Sequence, residues 1–307
     1  MSHLTVGWIG VGRMGSALCH RLLAAGVDLA VYNRTRDKLT DLAELGATVA
    51  DTPAKLADRD LVFTMVSDPT AFSDVTTGPD GLFSVPGVTP QVLVDASTVS
   101  ADVSKEVRQV AAERGCELLA APVSGNPNVV SSGRLTVVAS GPRPAFEKAR
   151  PYLEMFGQGV SYVGEGDAAR LVKICHNLML GIVSQTLAET AVLAERAGVS
   201  RADYMEFINM SVMGSTFTKY KTPSIVNLDF TPSFTGHLLR KDFELGLEAG
   251  RQFDVPLPTA ALVHQMIVAM IGRGHGEEDF MRLLTVEAAA AGLDLSSEDV
   301  EVDDGLS

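Results

Sequence analysis

Short, almost wholly apolar runs alternate with amphipathic stretches through the first half of the chain. Residues 4–10, 28–32, 60–66, 91–95, 116–120 and 135–140 read as buried strands. Between them, 16–26, a segment from Ala71, 99–114 and 143–155 carry helical periodicity. Strands alternating with helices predict a parallel sheet covered on both faces. After residue 164 the alternation stops. Helical patterns over 168–197, 201–213, 235–252, 258–272 and 277–291 follow, punctuated by Gly198, Pro223, Pro232 and Pro256. The first of these helices would be about 45 Å long at 1.5 Å per residue. The stretch 211–234 is polar and proline-interrupted, and reads as either a substrate-facing loop or a connection. The pattern therefore predicts a sheet domain over 1–164 and an all-α domain over 165–293. Five acids among the last ten residues (Glu298, Asp299, Glu301, Asp303 and Asp304) predict a disordered tail over 294–307.

The first strand runs into Gly10-Val11-Gly12-Arg13-Met14-Gly15 and then a helix. In that setting Gly10 permits a tight turn, Gly12 a close backbone approach to a pyrophosphate, and Gly15 close helix–strand packing. The phosphates would lie on free N–H groups at the helix N-terminus. The expected fold class is thus α/β, a Rossmann-type doubly wound parallel sheet followed by an all-α domain built on the long helix. The second strand ends at Asn33-Arg34-Thr35. An NAD site usually carries a carboxylate there for the ribose 2′-hydroxyl. Here Arg34 can clamp a 2′-phosphate and Thr35 can donate to it, so NADP (NADPH) is the expected cofactor. Val66-Ser67, Ser97-Thr98 and Ser124-Gly125 all fall at strand carboxyl ends, where ligands of such sheets lie. Each hydroxyl serves either as a helix cap or as a ligand contact.

The long helix opens with Arg170-Leu-Val-Lys-Ile-Cys-His-Asn-Leu-Met-Leu180. Leu171, Ile174, Leu178, Ile182 and Gln185 step along one face, while Lys173, His176 and Asn177 share another. That trio is either a polar pocket wall or the solvated edge of a core helix.

Composition narrows the field. Hydrophobic residues at 46% and charged ones at 21% describe an ordinary globular chain. A net charge of −13 argues against a nucleic-acid partner. Cys19, Cys116 and Cys175 lack metal-type spacing, so no metal is expected and a reduced, cytoplasmic setting is. The N-terminus shows no basic-then-apolar leader, and no apolar run reaches membrane-spanning length uninterrupted by charge, so no membrane partner is expected.

Taken in order, Gly10–Gly15, Asn33-Arg-Thr35, Asp95-Ala-Ser-Thr98, Ala121-Pro-Val-Ser-Gly125, Lys173 with Asn177, and Lys241-Asp242 resemble the β-hydroxyacid dehydrogenases. The resemblance covers residues 5–291. It implies Lys173 as catalytic lysine and Asn177 as its substrate-orienting partner. It likewise implies Ser124 and Gly125 at the substrate carboxylate, and Val66, Ser67 and Thr98 beside the nicotinamide ribose. Lys241 would approach the nicotinamide and Asp242 would organise the site. A hydroxyacid or semialdehyde substrate and a homodimer or homotetramer built through the helical domain are further implications. The chemistry is reasonable in its own right: a lysine between Val172 and Ile174, partly desolvated, should lose proton affinity and serve as acid or base. Three departures stand out. Asn126-Pro-Asn-Val-Val130 replaces the family's small-residue turn, Ala101 stands in place of a proline, and His176 is similar to the 6-phosphogluconate branch, as either a second proton carrier or a packed histidine. Two other functions remain open: imine reduction on the same fold, against which Lys173 argues, and non-catalytic cofactor binding.

Overall fold

The computed structural model describes residues 4–306. The chain forms two compact units, Met1–Lys173 and Ile174–Ser307. The division falls within the long helix, nine residues beyond the composition change at 164.

In the first unit, β1 (Val6–Ile9) leads into α1 (Arg13–Ala24), β2 (Leu29–Tyr32), α2 (Thr40–Glu44) and β3 (Thr48–Val49). Then come β4 (Leu61–Thr64), α3 (Pro69–Thr77), β5 (Val92–Asp95), α4 (Ala101–Glu113) and β6 (Glu117–Ala120). These six strands form one parallel sheet in the order β3-β2-β1-β4-β5-β6. The order reverses at β1, the switch point where ligands of doubly wound sheets bind. Its core is continuous apolar strand: Val6, Trp8, Phe63, Val92 and Val94 are all fully buried. Trp8 stacks on Phe63 with centroids 5.3 Å apart, and Phe156 meets both edge-on.

The expected strand at 135–140 does exist but belongs elsewhere. β7 (Val123–Ser124), β8 (Leu135–Ala139) and β9 (Gly157–Tyr162) make a separate three-stranded sheet, with β7 antiparallel to β8 and β8 parallel to β9. The alternating burial of β8 marks a half-covered strand rather than a central one. Between these strands lie α5 (Pro127–Ser131) and α6 (Arg143–Glu154).

The second unit is helical, as expected. α7 (Ala168–Arg196) begins in the first unit and continues through the second, followed by α8 (Arg201–Met210), α9 (Thr216–Val226), α10 (Gly236–Gln252), α11 (Pro258–Met270) and α12 (Leu283–Ala290). By length and composition alone α7 is long and apolar enough to cross a bilayer. Its Leu178, Leu187, Ala188, Ala191 and Val192 instead pack into the helical core, and Asn177, Ser184 and Gln185 are buried with them.

Two expectations for this unit need correction. The stretch 211–234 is not irregular throughout: α9 occupies its middle, despite Pro223, because Ser215 and Thr218 form a reciprocal capping box at its start. The acidic tail is not a loose end either. Glu298 accepts from the N–H groups of Arg201 and Ala202 at 2.7 and 3.0 Å, capping α8 with a carboxylate where the helix dipole favours one. Buried Arg201 donates to the Ser296 carbonyl, Asn227 bonds the backbone of Val300, and Leu293, Leu295 and Val302 pack on the core.

Candidate active site

The sheet register sets the ligand-facing rim. Ile9, Thr64, Asp95 and Ala120 lie in one row across β1, β4, β5 and β6. The next residues continue the ladder: Met65 N donates to Ile9 O, Ala96 N to Thr64 O, and Ala121 N to Asp95 O. The loops that begin at Gly10, Met65, Ala96 and Ala121 therefore leave the sheet at one edge.

The three glycines of the first loop differ in what they do. Gly10 has φ +98°, and a Cβ there would sit 2.2 Å from the Met65 carbonyl. At Gly15 a Cβ would lie 2.1 Å from the Gly10 carbonyl and 3.0 Å from the Trp8 indole nitrogen. That indole N–H donates to the same carbonyl at 3.0 Å, which locks strand, turn and helix together. Gly12 is different. Its φ of −81° suits any residue, and a Cβ there would meet nothing within 4 Å. Neither conformation nor internal packing requires glycine at this position. The exposed backbone at the N-cap of α1 is thus open to close approach from outside, as a pyrophosphate requires.

Asn33 braces this loop. Its Oδ1 accepts from Val11 N at 2.9 Å and its Nδ2 donates to the Thr35 carbonyl at 2.8 Å. Arg34 and Thr35 are exposed beside it; Arg36 pairs with Asp51 at 2.6 Å, whereas Arg34 has no ion-pair partner among the described residues. On the rim, Val66 N donates to Ser97 Oγ at 2.9 Å, tying two loops. Ser67 donates to Asp68, which caps α3 through Ala71 N. Thr98 is half-buried next to Ser97. Ser124 is half-buried on β7, and Gly125 follows at φ +142°, where a Cβ would be 2.8 Å from Leu135 and Val129 side-chain carbons. The divergent turn after it is stiff: Asn126 caps α5 by accepting from Val129 N, and Pro127 occupies the first helical position.

Lys173 is half-buried on α7, one turn past Arg170. Asn177 follows one turn later on the same helix and is 3% exposed, so its end of the polar trio is no solvated edge. Leu171, assigned to the apolar face, is instead 38% exposed. In the helical unit Asn177 Nδ2 donates to Asp242 Oδ2 at 2.5 Å, and its Oδ1 lies 2.9 Å from His176 Nδ1. Lys241 Nζ lies 3.6 Å from the other Asp242 oxygen. Two glycines permit this close helix pairing. A Cβ on Gly181 would strike the Phe243 ring at 2.4 Å, and one on Gly246 would strike Leu178 at 2.7 Å. Glycine inside a helix costs about 1 kcal/mol, and that cost was the signal in the sequence that α7 and α10 approach closely. Arg170, Ser104 and Asp95 also meet at this rim, and no local pattern in the sequence announces their contact.

Two family models divide the chain. The NAD binding domain of 6-phosphogluconate dehydrogenase matches residues 5–164, and the NAD-binding domain of NADP-dependent 3-hydroxyisobutyrate dehydrogenase matches residues 166–286. Among relatives, the cytokine-like nuclear factor N-PAC of Homo sapiens is 34% identical over 264 residues, covering 85% of this chain but 47% of its own length. The chain thus spans about half the length of the N-PAC proteins it matches. The 2-(hydroxymethyl)glutarate dehydrogenase of Eubacterium barkeri is 32% identical over 295 residues, covering 95% of this chain and 98% of that one. Of solved structures, 3-hydroxyisobutyrate dehydrogenase from Salmonella typhimurium superposes with TM-score 0.82 at 25% identity, over 92% of this chain and 99% of that one. An imine reductase from Myxococcus stipitatus in complex with NADP+ gives 0.59 at 25% identity, over 92% and 99%. The chain belongs to the β-hydroxyacid dehydrogenase family.

Proposed function

We propose that this protein is an oxidoreductase that uses NADP(H) and interconverts a β-hydroxyacid with its semialdehyde or keto acid, with reduction the working direction. The observation that carries the cofactor reading is the open backbone at Gly12, beside an exposed Arg34 at the end of β2 where an NAD site would hold a carboxylate. The reduced nicotinamide, when bound, supplies the hydride. Lys173 gives its proton to the carbonyl oxygen during reduction, or takes it from the hydroxyl in the reverse direction. Asn177, held by Asp242, orients that oxygen, while Ser124 and the Gly125 backbone hold the substrate carboxylate. In this reading Val66, Ser67 and Thr98 border the nicotinamide ribose, and Lys241 approaches the nicotinamide. The stiff 126–131 turn favours a substrate other than the shortest hydroxyacids.

A second reading, imine reduction, is supported by the likeness to an imine reductase; Lys173, matched to carbonyl chemistry, weighs against it. Non-catalytic cofactor binding is the third. We also infer assembly through the helical unit, in the reduced setting of the cytoplasm. Val172, Met179 and Leu193 recur on α7 at multiples of seven residues, and Met179 and Leu193 are more than two-thirds exposed. Phe207, Met210, Val212 and Met213 are further exposed apolar side chains of the same unit.

The test is NADPH oxidation against short semialdehydes, β-keto acids and cyclic imines, with NADH and Lys173→Ala in parallel. Carboxylate-dependent carbonyl reduction that falls about 10²- to 10⁴-fold in the variant and is weak with NADH supports the proposal. Turnover confined to imines, or indifferent to Lys173, overturns it. The cofactor site has its own check. Gly12→Ala should leave the melting temperature unchanged and weaken NADPH binding, whereas Gly15→Ala should destabilise the fold itself. Equal effects at both positions would sink the assignment of Gly12.

A further inference from the structure

The Arg170 side chain ties the start of α7 to the sheet rim. The Arg170 guanidinium is 5% exposed, and its Nη1 lies 2.7 Å from Asp95 Oδ2. The same nitrogen donates to the Ser97 carbonyl at 3.1 Å, while Nε donates to Ser104 Oγ at 2.9 Å and Asp167 Oδ1 at 3.3 Å. The other Asp95 oxygen accepts from Thr64 Oγ1 at 2.6 Å and Ser97 N at 3.2 Å. Ser97 Oγ in turn accepts from Val66 N. One guanidinium therefore joins the end of β5, the turn after it and α4 to the first turn of α7, and Asp95 carries the link on to Thr64 at the end of β4.

We infer that Arg170, acting with Asp95, is a positioning residue that sets the angle of the Lys173 amine about the α7 axis relative to the 66–67 and 97–98 loops. This rests on the reading of Lys173 as acid–base. Lys173 lies one turn beyond Arg170, so any rotation of that turn carries the amine with it. Proton transfer needs heavy atoms about 2.6–3.2 Å apart, and a 1 Å misplacement can lower turnover about 100-fold.

Stability alone is a poor account of the pair. Buried ion pairs commonly contribute no more than apolar residues of similar volume. Here Arg170 Nη2 and Asp95 Oδ2 have no aligned hydrogen bond among the described residues, so the arrangement does not maximise satisfaction. What it does supply is direction, because a guanidinium presents its donors in a fixed fork. The helix start has a separate anchor: Ala169 N donates to Ser140 Oγ, which donates to the Gly166 carbonyl. Loss of Arg170 should therefore turn the helix rather than detach it.

The experiment compares wild type, Arg170→Lys, Arg170→Met/Asp95→Asn and Lys173→Ala. The double variant removes both buried charges together, which protects the fold. We expect it to keep NADPH binding and substrate KM within a few-fold while kcat falls about 10- to 100-fold. Arg170→Lys keeps the charge but not the fork and should show the same kcat loss. Wild-type kcat in either variant overturns the inference, as does a loss confined to KM. Amide hydrogen exchange separates this from failure of the acid–base reading, which shows instead as an active Lys173→Ala. Protection lost together at Val66, Ser97 and Lys173 in the double variant supports the coupling. Loss restricted to the substituted positions and their chain neighbours overturns it.

Discussion

Arg170 in the sheet unit and Lys221 in the helical unit are both nine-tenths or more buried, and each faces a buried carboxylate, Asp95 and Asp279. Their surroundings differ in kind. Arg170 distributes its donors over three chain segments. Lys221 is a point charge, 2.6 Å from Asp279 Oδ1 and 3.0 Å from Ser233 Oγ, with the Phe280 ring 4.3 Å away. Burial pulls the Lys221 ammonium below its usual proton affinity even though Asp279 opposes the shift. Asp279 also accepts from the backbone N–H groups of Ser233 and Met281, so the cluster clamps the loop before α10 to the turn before α12. Equal burial thus accompanies two roles: the fork at Arg170 fixes directions, and the point charge at Lys221 holds segments together.

The largest effect that bears on this contrast is at Lys221. Lys221→Met should cost about 3–5 kcal/mol of unfolding free energy by stranding Asp279, and Lys221→Met/Asp279→Asn should recover much of it. Both variants, once folded, should keep wild-type kcat. A kcat loss in the stable double variant would break the comparison, since it would make this cluster a positioning device too. The kcat series at Arg170 comes next in size, with stability the smaller change. The smallest effect is in pH dependence. Burial alone would raise the Asp167 carboxyl, but the hydrogen bond and charge of Arg108, with Arg170 and Ser104, outweigh it and hold the group below the ordinary carboxylate value. Because the folded value is the lower one, this stabilisation is fully present above the unfolded value near 3.9. It is lost as pH falls through the folded value. Urea midpoints measured from about pH 5 downward should fall more steeply in wild type than in Asp167→Asn; parallel curves would remove Asp167 from the network.

Much of this was legible in the sequence where the signal is local. The strand–glycine–helix opening is contiguous, so Gly10, Gly12 and Gly15 take separate roles from their order alone. Lys173 and Asn177 share a helix face by spacing alone. β9 was missed because Gly157, Gln158 and Gly159 give it no strand propensity, and pairing with β8 makes it a strand. β8 was placed in the wrong sheet because strand identity does not encode partner. α9 was missed because Pro223 outweighed a capping box that was visible in Ser215 and Thr218. The Arg170–Asp95 and Asn177–Asp242 pairs join residues 75 and 65 positions apart, and no periodicity reports such a meeting.

The bond between Asn177 and Asp242 also decides where a proton resides. With its Nδ2 donating to Asp242, Asn177 presents its amide oxygen to the His176 ring. An oxygen facing the ring requires Nδ1 to carry the hydrogen, which makes Nε2 the basic nitrogen of the neutral imidazole. A carboxylate on α10 thereby selects, through Asn177, the tautomer of a histidine on α7, and nitrogen-15 shifts of His176 would report that selection directly.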